Sequence, residues 1–280
     1  MSDAVLVVGA GSFLAREFIG ANPDLRIRAV GHLEADEPAH YEGIGCVVNF
    51  AFAPALAGGE YDARHDVDAR AARRALEAGA HYVMISSRRV YAPASQWNAG
   101  ESAGSPGADA YGRNKARIER SLAGLLGDRL TVLRPGNAVG YEPVPMRARF
   151  GAYLQNQLRE RGAIRLTVSP ETRRDLVPAA FLARVLRAAV ERRLPGVFNV
   201  GAGRATTVGE AARWLIEGYG GGEVVHAAGG IEDEFLLDSG KLARAYGLAC
   251  DPGAVRESLR EAGRRLAAGA PPGPAERKGK

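Results

Sequence analysis

The sequence predicts an α/β fold in which a parallel sheet is covered by helices. In the first half of the chain, short apolar runs alternate with longer segments of helical period, which is typical of strands joined by crossover helices. The predicted strands span residues 4–8, 27–30, 46–52, 82–86, 130–133 and 196–200. The predicted helices span residues 13–19, 67–78 and 111–125.

The composition is that of an ordinary globular enzyme-sized chain. Its 280 residues are 46% hydrophobic and 25% charged, which is enough apolar material for one large domain or two small ones. No apolar run approaches the roughly 20 residues that cross a bilayer, and the first residues lack the pattern of a signal peptide. We therefore expect a protein without membrane contact.

Charge and cysteine content exclude further classes. The net charge of +5 comes from basic residues interspersed with acids, so it predicts no nucleic-acid surface but suits a small anionic substrate. Cys46 and Cys250 are far apart and form no C-x-x-C pattern, so we expect neither a metal nor a disulfide. The expected compartment is the cytoplasm.

Two segments have the composition of connections. Residues 92–110 are rich in Gly, Ser, Pro and Ala, which predicts a long loop. Residues 269–280 have the composition of a disordered tail. The sequence has no internal repeat.

A glycine turn follows the first predicted strand. Gly9 permits a tight turn there, and small residues after it let backbone N–H groups and a helix N-terminus approach a dinucleotide pyrophosphate. The alternative is simple turn punctuation. The residues predicted to contact the cofactor are Gly9, Gly11, Ser12, Phe13 and Leu14.

The end of the second predicted strand bears on the choice between NAD(H) and NADP(H). An NAD site usually carries an acid here, whereas this chain reads Val30-Gly31-His32, with Glu34 close by. Without the acid, a 2′-phosphate is not repelled and His32 could contact it. NADP(H) is therefore slightly favoured over NAD(H), unless Gly31 and His32 merely begin a loop.

Tyr111 and Lys115 are four residues apart in a predicted helix and so share a face. A cation beside a phenol stabilises tyrosinate, as acid/base catalysis requires. Ser87 follows the predicted strand 82–86 and lies 24 residues before Tyr111, where its hydroxyl could orient a reacting oxygen. A Tyr and Lys at this spacing also occur on ordinary surface helices, but lysine is scarce here, with four among 37 basic residues.

Seven motifs in order give a resemblance to a known family. GAGSFLA, ISSRRVYAP, YGRNK, LRPGNAVG, RRDLVPAAFLA, FNVGAG and LLDSGKLARAYGL resemble the extended short-chain dehydrogenase/reductases, the NAD-dependent epimerase/dehydratase family. The resemblance runs to about Leu248. It implies a doubly wound, Rossmann-like sheet with a smaller C-terminal substrate lobe. The implied division is a dinucleotide-binding core at 1–140 and 174–200, and a substrate lobe at 141–173 and 201–268.

The resemblance also implies roles for individual residues. Ser87, rather than Ser86, stands three before the Val-Tyr pair, as the family's catalytic Ser or Thr does. The implied catalytic residues are Ser87, Tyr111 and Lys115, with Tyr111 and Lys115 also contacting the cofactor. Further implied cofactor contacts are Phe50, Ala51, Phe52 and Pro135. The implied substrate contacts are Ser87, Arg88, Asn137 and Arg174, and a helix pair flanking Tyr111 implies a homodimer.

Departures from the family pattern narrow the expected activity. Arg88 and Arg89 replace the acidic pair of sugar-nucleotide dehydratases, which argues against dehydration. Only residues 31–45 separate the second and third predicted strands, as in the compact 4-keto reductases of the family. Residues 229–233 replace an Arg-Pro-Gly-Asp stretch that helps to recognise the nucleotide. The leading prediction is an NAD(P)-dependent reductase of a 4-keto nucleotide-linked sugar. The alternatives are an epimerase with tightly bound NAD and a non-catalytic dinucleotide sensor.

Overall fold

The computed structural model describes residues 4–104, 107–143, 149–226 and 229–269. The strands are β1 Ala4–Val8, β2 Ile27–Val30, β3 Ile44–Asn49, β4 His81–Ile85, β5 Leu130–Pro135, β6 Asn137–Val139, β7 Ala163–Leu166, β8 Arg173–Arg174, β9 Leu176–Pro178, β10 Gly196–Val200, β11 Thr206–Thr207 and β12 Glu223–His226. The helices are α1 Phe13–Ala21, α2 Pro54–Gly58, α3 Val67–Glu77, α4 Ala110–Leu126, α5 Phe150–Arg161, α6 Ala179–Arg192, α7 Val208–Tyr219, α8 Gly240–Tyr246 and α9 Ala254–Gly269.

Six parallel strands form the central sheet in the order β2-β1-β3-β4-β5-β10. Because side chains alternate along each strand, one face packs on α3 and α4 and the other on α1, α6 and α8. The sheet is therefore doubly wound, as expected. β2 lies on one side of β1 and β3 on the other, so the strand order reverses at β1. Ligands of such sheets bind at the carboxyl ends of the strands beside this switch point.

The predicted elements agree closely with the observed ones. Strands 4–8, 27–30 and 196–200 are confirmed, and the other predicted elements shift by one or two residues at their ends. The exception is the strand predicted at 46–52, which begins at Ile44 and ends at Asn49. The strand ends there because the Asn49 side chain hydrogen-bonds the backbone of Ala51 and replaces the ladder.

The connection between β2 and β3 is compact, as the sequence predicts. Two 3₁₀ turns, His32–Glu34 and Pro38–Tyr41, fill it without another strand or α-helix. Arg28 holds the connection by donating hydrogen bonds to the carbonyls of Ala39, His40 and Glu42. The sheet therefore has one strand fewer on this side than a sheet with a full crossover.

A third cluster of buried apolar side chains lies outside the central sheet. It joins α5, α7 and α9 through residues such as Leu158, Leu215 and Leu259. Two-stranded pairings β6–β9, β7–β12 and β8–β11 accompany it. The proposed division into core and substrate lobe stays a prediction.

The predicted loop and tail are only partly described. Residues 92–110 contain a 3₁₀ turn at Pro93–Ser95 and a bridge from Ala99 to Leu237, with 105–106 outside the described residues. Gly269 is the last residue of α9 rather than the first of a tail, and 270–280 lie outside the described residues. Within the described ranges, no helix has the length and apolar character to cross a membrane.

Candidate active site

The glycine turn joins β1 to α1 at the carboxyl edge of the sheet. Gly9 has a φ of +78°, and a Cβ there would stand 2.8 Å from the Ala51 amide nitrogen, so a side chain does not fit. Ser12 caps α1, because its Oγ accepts a hydrogen bond from the Ala15 amide at 3.2 Å. Gly11 is exposed, and no described atom lies within 4 Å of a Cβ built on it. The turn thus offers open backbone at a helix N-terminus, which suits a pyrophosphate.

Phe13 and Leu14 form the first turn of α1. Phe13 is buried, and the guanidinium of Arg149 lies 5.1 Å from the centroid of its ring. Leu14 packs, half-buried, on the core of the sheet. Both side chains therefore anchor the helix.

The end of β2 carries a carboxylate after all. Glu34 turns back to the strand end, where its Oε2 accepts a hydrogen bond from the Gly31 amide at 2.8 Å. His32 is exposed in the same 3₁₀ turn. The sequence-based preference for NADP assumed that no acid stood at this strand end. The tight turn after Val30 removes that assumption, because it folds Glu34 back over Gly31.

The loop after β3 contains the predicted cofactor residues 50–52. Asn49 is buried and fixes this loop, accepting a hydrogen bond from the Ala51 amide at 2.8 Å and donating one to the Ala51 carbonyl at 3.2 Å. Phe50 packs half-buried on the core, and the Phe52 ring meets the edge of the Tyr111 ring with centroids 5.0 Å apart. The loop therefore lies at the carboxyl edge beside Tyr111.

Tyr111 and Lys115 lie together on α4, as their spacing predicts. Lys115 is buried, and its Nζ donates a hydrogen bond to the carbonyl of Ile85, the last residue of β4, at 2.8 Å. The same Nζ lies 4.5 Å from the centroid of the Phe52 ring that Tyr111 contacts. The phenol, half-buried, and the ammonium thus share one aromatic neighbour at the end of β4.

Two consecutive serines after β4 have different surroundings. Ser86 is buried, and its hydroxyl donates a hydrogen bond to the Glu119 carboxylate. Ser87 is half-buried and begins the 3₁₀ turn Arg88–Val90, with its Oγ accepting a hydrogen bond from the Arg89 amide at 3.2 Å. Because Ser86 is committed to a buried carboxylate, Ser87 is the better placed of the two to donate to a ligand.

The turn that carries Ser87 rests on the first turn of α4. Gly112 permits this contact, because a Cβ on it would overlap the Arg89 carbonyl oxygen. Asp109 caps α4 by accepting a hydrogen bond from the Gly112 amide at 2.7 Å, and its carboxylate also pairs with the Arg89 guanidinium. Ser87 and Tyr111 therefore stand on adjoining backbone segments.

Asp68 is a buried acid that the sequence analysis missed. Its carboxylate lies 3.6 Å from Lys115 Nζ and accepts hydrogen bonds from Asn49 Nδ2 at 2.7 Å and the Tyr82 hydroxyl at 2.9 Å. Burial raises the pKa of Asp68, although Lys115 and Asn49 oppose the shift. The signal was present in the sequence, because Asp68 shares the inward helical stripe of α3 with Ala71, Ala72 and Ala75.

Two predicted substrate contacts meet around Asp233. The guanidinium of Arg88 is buried and lies 3.7 Å from the centroid of the Phe235 ring. Its Nη1 and Nη2 donate to the two carboxylate oxygens of Asp233 at 2.9 and 2.7 Å. Arg174 Nη2 lies 3.9 Å from the same carboxylate. Both arginines were predicted from the sequence, but Asp233, the acid that joins them, was not.

Asn137 begins β6 just after Pro135, which ends β5. The backbone N–H of Asn137 donates a hydrogen bond to the backbone carbonyl of Asp175 at 2.9 Å. The buried Asp175 carboxylate accepts hydrogen bonds from the amides of Ala202 at 2.7 Å and Leu237 at 3.0 Å. Burial raises the pKa of Asp175 to about 6, against the effect of these two hydrogen bonds. Asp175 thus joins the chain segments that contain Asn137, Ala202 and Leu237.

The six-stranded doubly wound sheet, with the glycine turn after its first strand, defines a Rossmann-like α/β protein. No family model matches the chain. No curated protein matches it either.

Solved structures share this fold over nearly the whole chain. The UDP-N-acetylglucosamine 4-epimerase from Methanobrevibacter ruminantium superposes with a TM-score of 0.82 at 17% identity, covering 95% of this chain and 99% of that one. An NDP-hexosamine 5,6-dehydratase of tunicamycin biosynthesis gives 0.79 at 18% identity, covering 95% and 98%. The Thermus thermophilus UDP-glucose 4-epimerase, in complex with NAD, gives 0.76 at 18% identity, covering 95% and 100%. The fold expected from the resemblance to extended short-chain dehydrogenase/reductases is confirmed.

Proposed function

We propose that the protein is an NAD(P)-dependent oxidoreductase of the extended short-chain dehydrogenase/reductase family that reduces a 4-keto nucleotide-linked sugar. One observation carries the proposal. Tyr111 and Lys115 share a helix face at the end of β4, and the Ser87 turn rests on the start of that same helix. The seven-motif resemblance supports it, as does the fold shared with an NAD-dependent NDP-hexosamine dehydratase and with two UDP-sugar 4-epimerases, one of them in complex with NAD.

The glycine turn fits a dinucleotide. The positive φ of Gly9, the open space over Gly11 and the N-terminus of α1 would hold its pyrophosphate. Residues 50–52 and Pro135 would line the rest of the site. When bound, the reduced nicotinamide supplies hydride to the keto carbon.

The side chains supply the proton and the orientation. Ser87 would donate a hydrogen bond to the carbonyl oxygen and hold it in place. Tyr111 would donate a proton to that oxygen as the carbon is reduced, giving an alcohol. Lys115 would stabilise the resulting tyrosinate and bind the nicotinamide ribose. Its fixed bond to the Ile85 carbonyl keeps the ammonium in position for both roles.

The position of Glu34 changes the proposed cofactor preference. A carboxylate at the end of β2 can bind ribose hydroxyls and repels a 2′-phosphate. Because Glu34 occupies that place, we favour NAD(H) over NADP(H). His32, exposed beside it, is the residue that would still allow NADP(H).

Two features favour reduction over dehydration. Arg88 and Arg89 follow Ser87 where the dehydratases of the family carry acids, and both are engaged, with Asp233 and Asp109. The compact connection from β2 to β3 matches the 4-keto reductases.

Epimerisation with tightly bound NAD is the second candidate, since two of the compared structures are 4-epimerases. Asn137 and Arg174 would contact the nucleotide diphosphate in either case.

Assembly and location are part of the same proposal. We expect a cytoplasmic homodimer formed through the outer faces of α3 and α4. Those faces carry several arginines, including Arg73, Arg113 and Arg117, so the interface would need acidic partners or bound anions. A monomeric mass by light scattering would rule the dimer out.

The direct test follows nicotinamide absorbance while the protein meets a panel of 4-keto-6-deoxy nucleotide sugars with NADH or NADPH. We expect oxidation that falls by about 10²–10⁴-fold in Tyr111→Phe, because the proton donor is lost. Tyr153→Phe removes the hydroxyl of a tyrosine on α5 and should leave the rate unchanged.

The outcomes separate the candidates. Interconversion of sugar isomers without net oxidation would identify the epimerase. An unchanged rate in Tyr111→Phe would contradict the assignment of Tyr111 as the acid.

A further inference from the structure

The Arg88 guanidinium is held in place from two sides that do not involve Asp233. Its Cζ lies over the Phe235 ring, 3.7 Å from the centroid, and its Nη1 also donates to Gln96 Oε1. A guanidinium fixed in this way presents its fork in one direction, ready for a two-oxygen anion. In this structure, Asp233 fills that fork.

Arg174 has fewer partners than a buried arginine normally requires. It is mostly buried beside the Phe150 ring, and its Nε has no hydrogen-bond partner among the described residues. Its approach to Asp233, at 3.9 Å, is too long for a hydrogen bond. Burial lowers the pKa of Arg174, Asp233 opposes this and the neighbouring Arg88 adds to it. Two guanidinium groups thus share one carboxylate, which leaves a local excess of positive charge.

The Asp233 carboxylate is suited to leave the Arg88 guanidinium. Its side chain is 50% exposed, so water can solvate the carboxylate once it departs. Its φ of +53° is one of the few left-handed values among the described non-glycine residues. The next residue, Glu234, is bound to Arg173 instead.

We infer that Arg88 and Arg174 form an oxyanion-binding subsite of the substrate pocket, which Asp233 occupies in the free protein and vacates when a substrate oxyanion binds. The inference rests on the proposed function, since Arg88 directly follows Ser87, the residue proposed to hold the reacting oxygen. The oxyanion has two candidate sources, a carboxylate on the sugar ring or the phosphate attached to the sugar.

The test is a calorimetric titration that needs no turnover. The full chain is titrated with inorganic pyrophosphate, UDP-glucose and UDP-glucuronate, as wild type and as Asp233→Asn. Asparagine tolerates the left-handed backbone and removes only the charge. We expect Asp233→Asn to bind pyrophosphate about 3- to 10-fold more tightly, because the internal competitor no longer reduces the open fraction.

A matched variant controls for the change in net charge. Glu234→Gln removes a carboxylate from the next position, but that carboxylate pairs with Arg173, so its affinity for pyrophosphate should equal that of wild type. Adding Arg88→Gln to Asp233→Asn should abolish the gain. Thermal melting of each variant verifies that it is folded.

The nucleotide sugars distinguish the two sources. A larger gain for UDP-glucuronate than for UDP-glucose identifies a sugar carboxylate, and equal gains identify the phosphate. The inference is overturned if Asp233→Asn binds pyrophosphate no more tightly than wild type, or if Glu234→Gln gains as much. Failure of the proposed function would appear separately, as the absence of nicotinamide oxidation in a protein that still shows these binding differences.

Discussion

Two ion pairs flank the candidate active site, and they differ in exposure. The side chains of Lys115 and Asp68 are 4% and 2% exposed, whereas those of Arg88 and Asp233 are 6% and 50% exposed. A buried charge that loses its partner stays desolvated, while a half-exposed carboxylate regains water at little cost. The first pair therefore fixes the architecture of the site, and the second is free to exchange its partner.

The largest expected effect on stability comes from breaking the buried ion pair of Lys115 and Asp68. Lys115→Met should lower the free energy of unfolding by about 3–5 kcal/mol, because it leaves the Asp68 carboxylate buried without a cation. Urea denaturation measures this loss, with the exposed Arg120→Met on the same helix as the control. Adding Asp68→Asn should recover part of the stability. If the double variant is no more stable than Lys115→Met, the two side chains do not act as a pair.

Asp175 is a second buried carboxylate, and its hydrogen-bond partners among the described residues are backbone amides only. Its pKa is about 6 in the folded protein and 3.8 in an unfolded chain, so the folded state takes up the proton first as pH falls. Its contribution to stability is thus present below about pH 4 and lost as pH rises through 6. From pH 7 to 4, the free energy of unfolding of the wild type should rise by about 2–3 kcal/mol relative to Asp175→Asn. Parallel pH profiles of the two proteins would contradict this.

Glu34 extends the comparison to an exposed carboxylate beside the proposed cofactor site. Glu34→Gln keeps an acceptor for the Gly31 amide but removes the charge that repels a 2′-phosphate. The ratio of kcat/KM for NADPH to that for NADH should rise about tenfold, equivalent to about 1.4 kcal/mol. Steady-state rates with both cofactors measure it, with the exposed Glu37→Gln as control. No change in the ratio would mean that Glu34 lies outside the ribose site.

The smallest effect on stability is expected for the half-exposed ion pair of Arg88 and Asp233. Asp233→Asn should change the free energy of unfolding by less than about 1 kcal/mol, because its carboxylate is already half in water. Urea denaturation beside the Lys115→Met series gives the direct comparison. A loss of several kcal/mol would mean that Asp233 is structural and that the contrast between the two pairs is wrong.

The sheet could be predicted because its signal is local. The run 4–8 is continuously apolar, as buried parallel strands favour, and in 196–200 only Asn199 interrupts the apolar side chains. The strand at 46–52 was predicted too long for the same reason. Residues 50–52 continue the apolar pattern, but the Asn49 side chain ends the ladder.

The candidate site was only partly accessible from the sequence, since its charges pair across long separations. Tyr111 and Lys115 are linked by helical spacing alone. Asp68 meets Lys115 across 47 residues, and Asp233 meets Arg88 across 145, which no local pattern specifies. Glu34 was seen in the sequence, but its return to Gly31 depends on the backbone path of one turn.

Gly107 and Gly112 both face the Arg89 carbonyl oxygen, and a Cβ on either would overlap it. Neither has a side chain that could touch a ligand. A substitution at either glycine would push the Ser87 turn away from the first turn of α4, which carries Tyr111. The contact between the Ser87 turn and α4 thus depends on two residues that have no side chain.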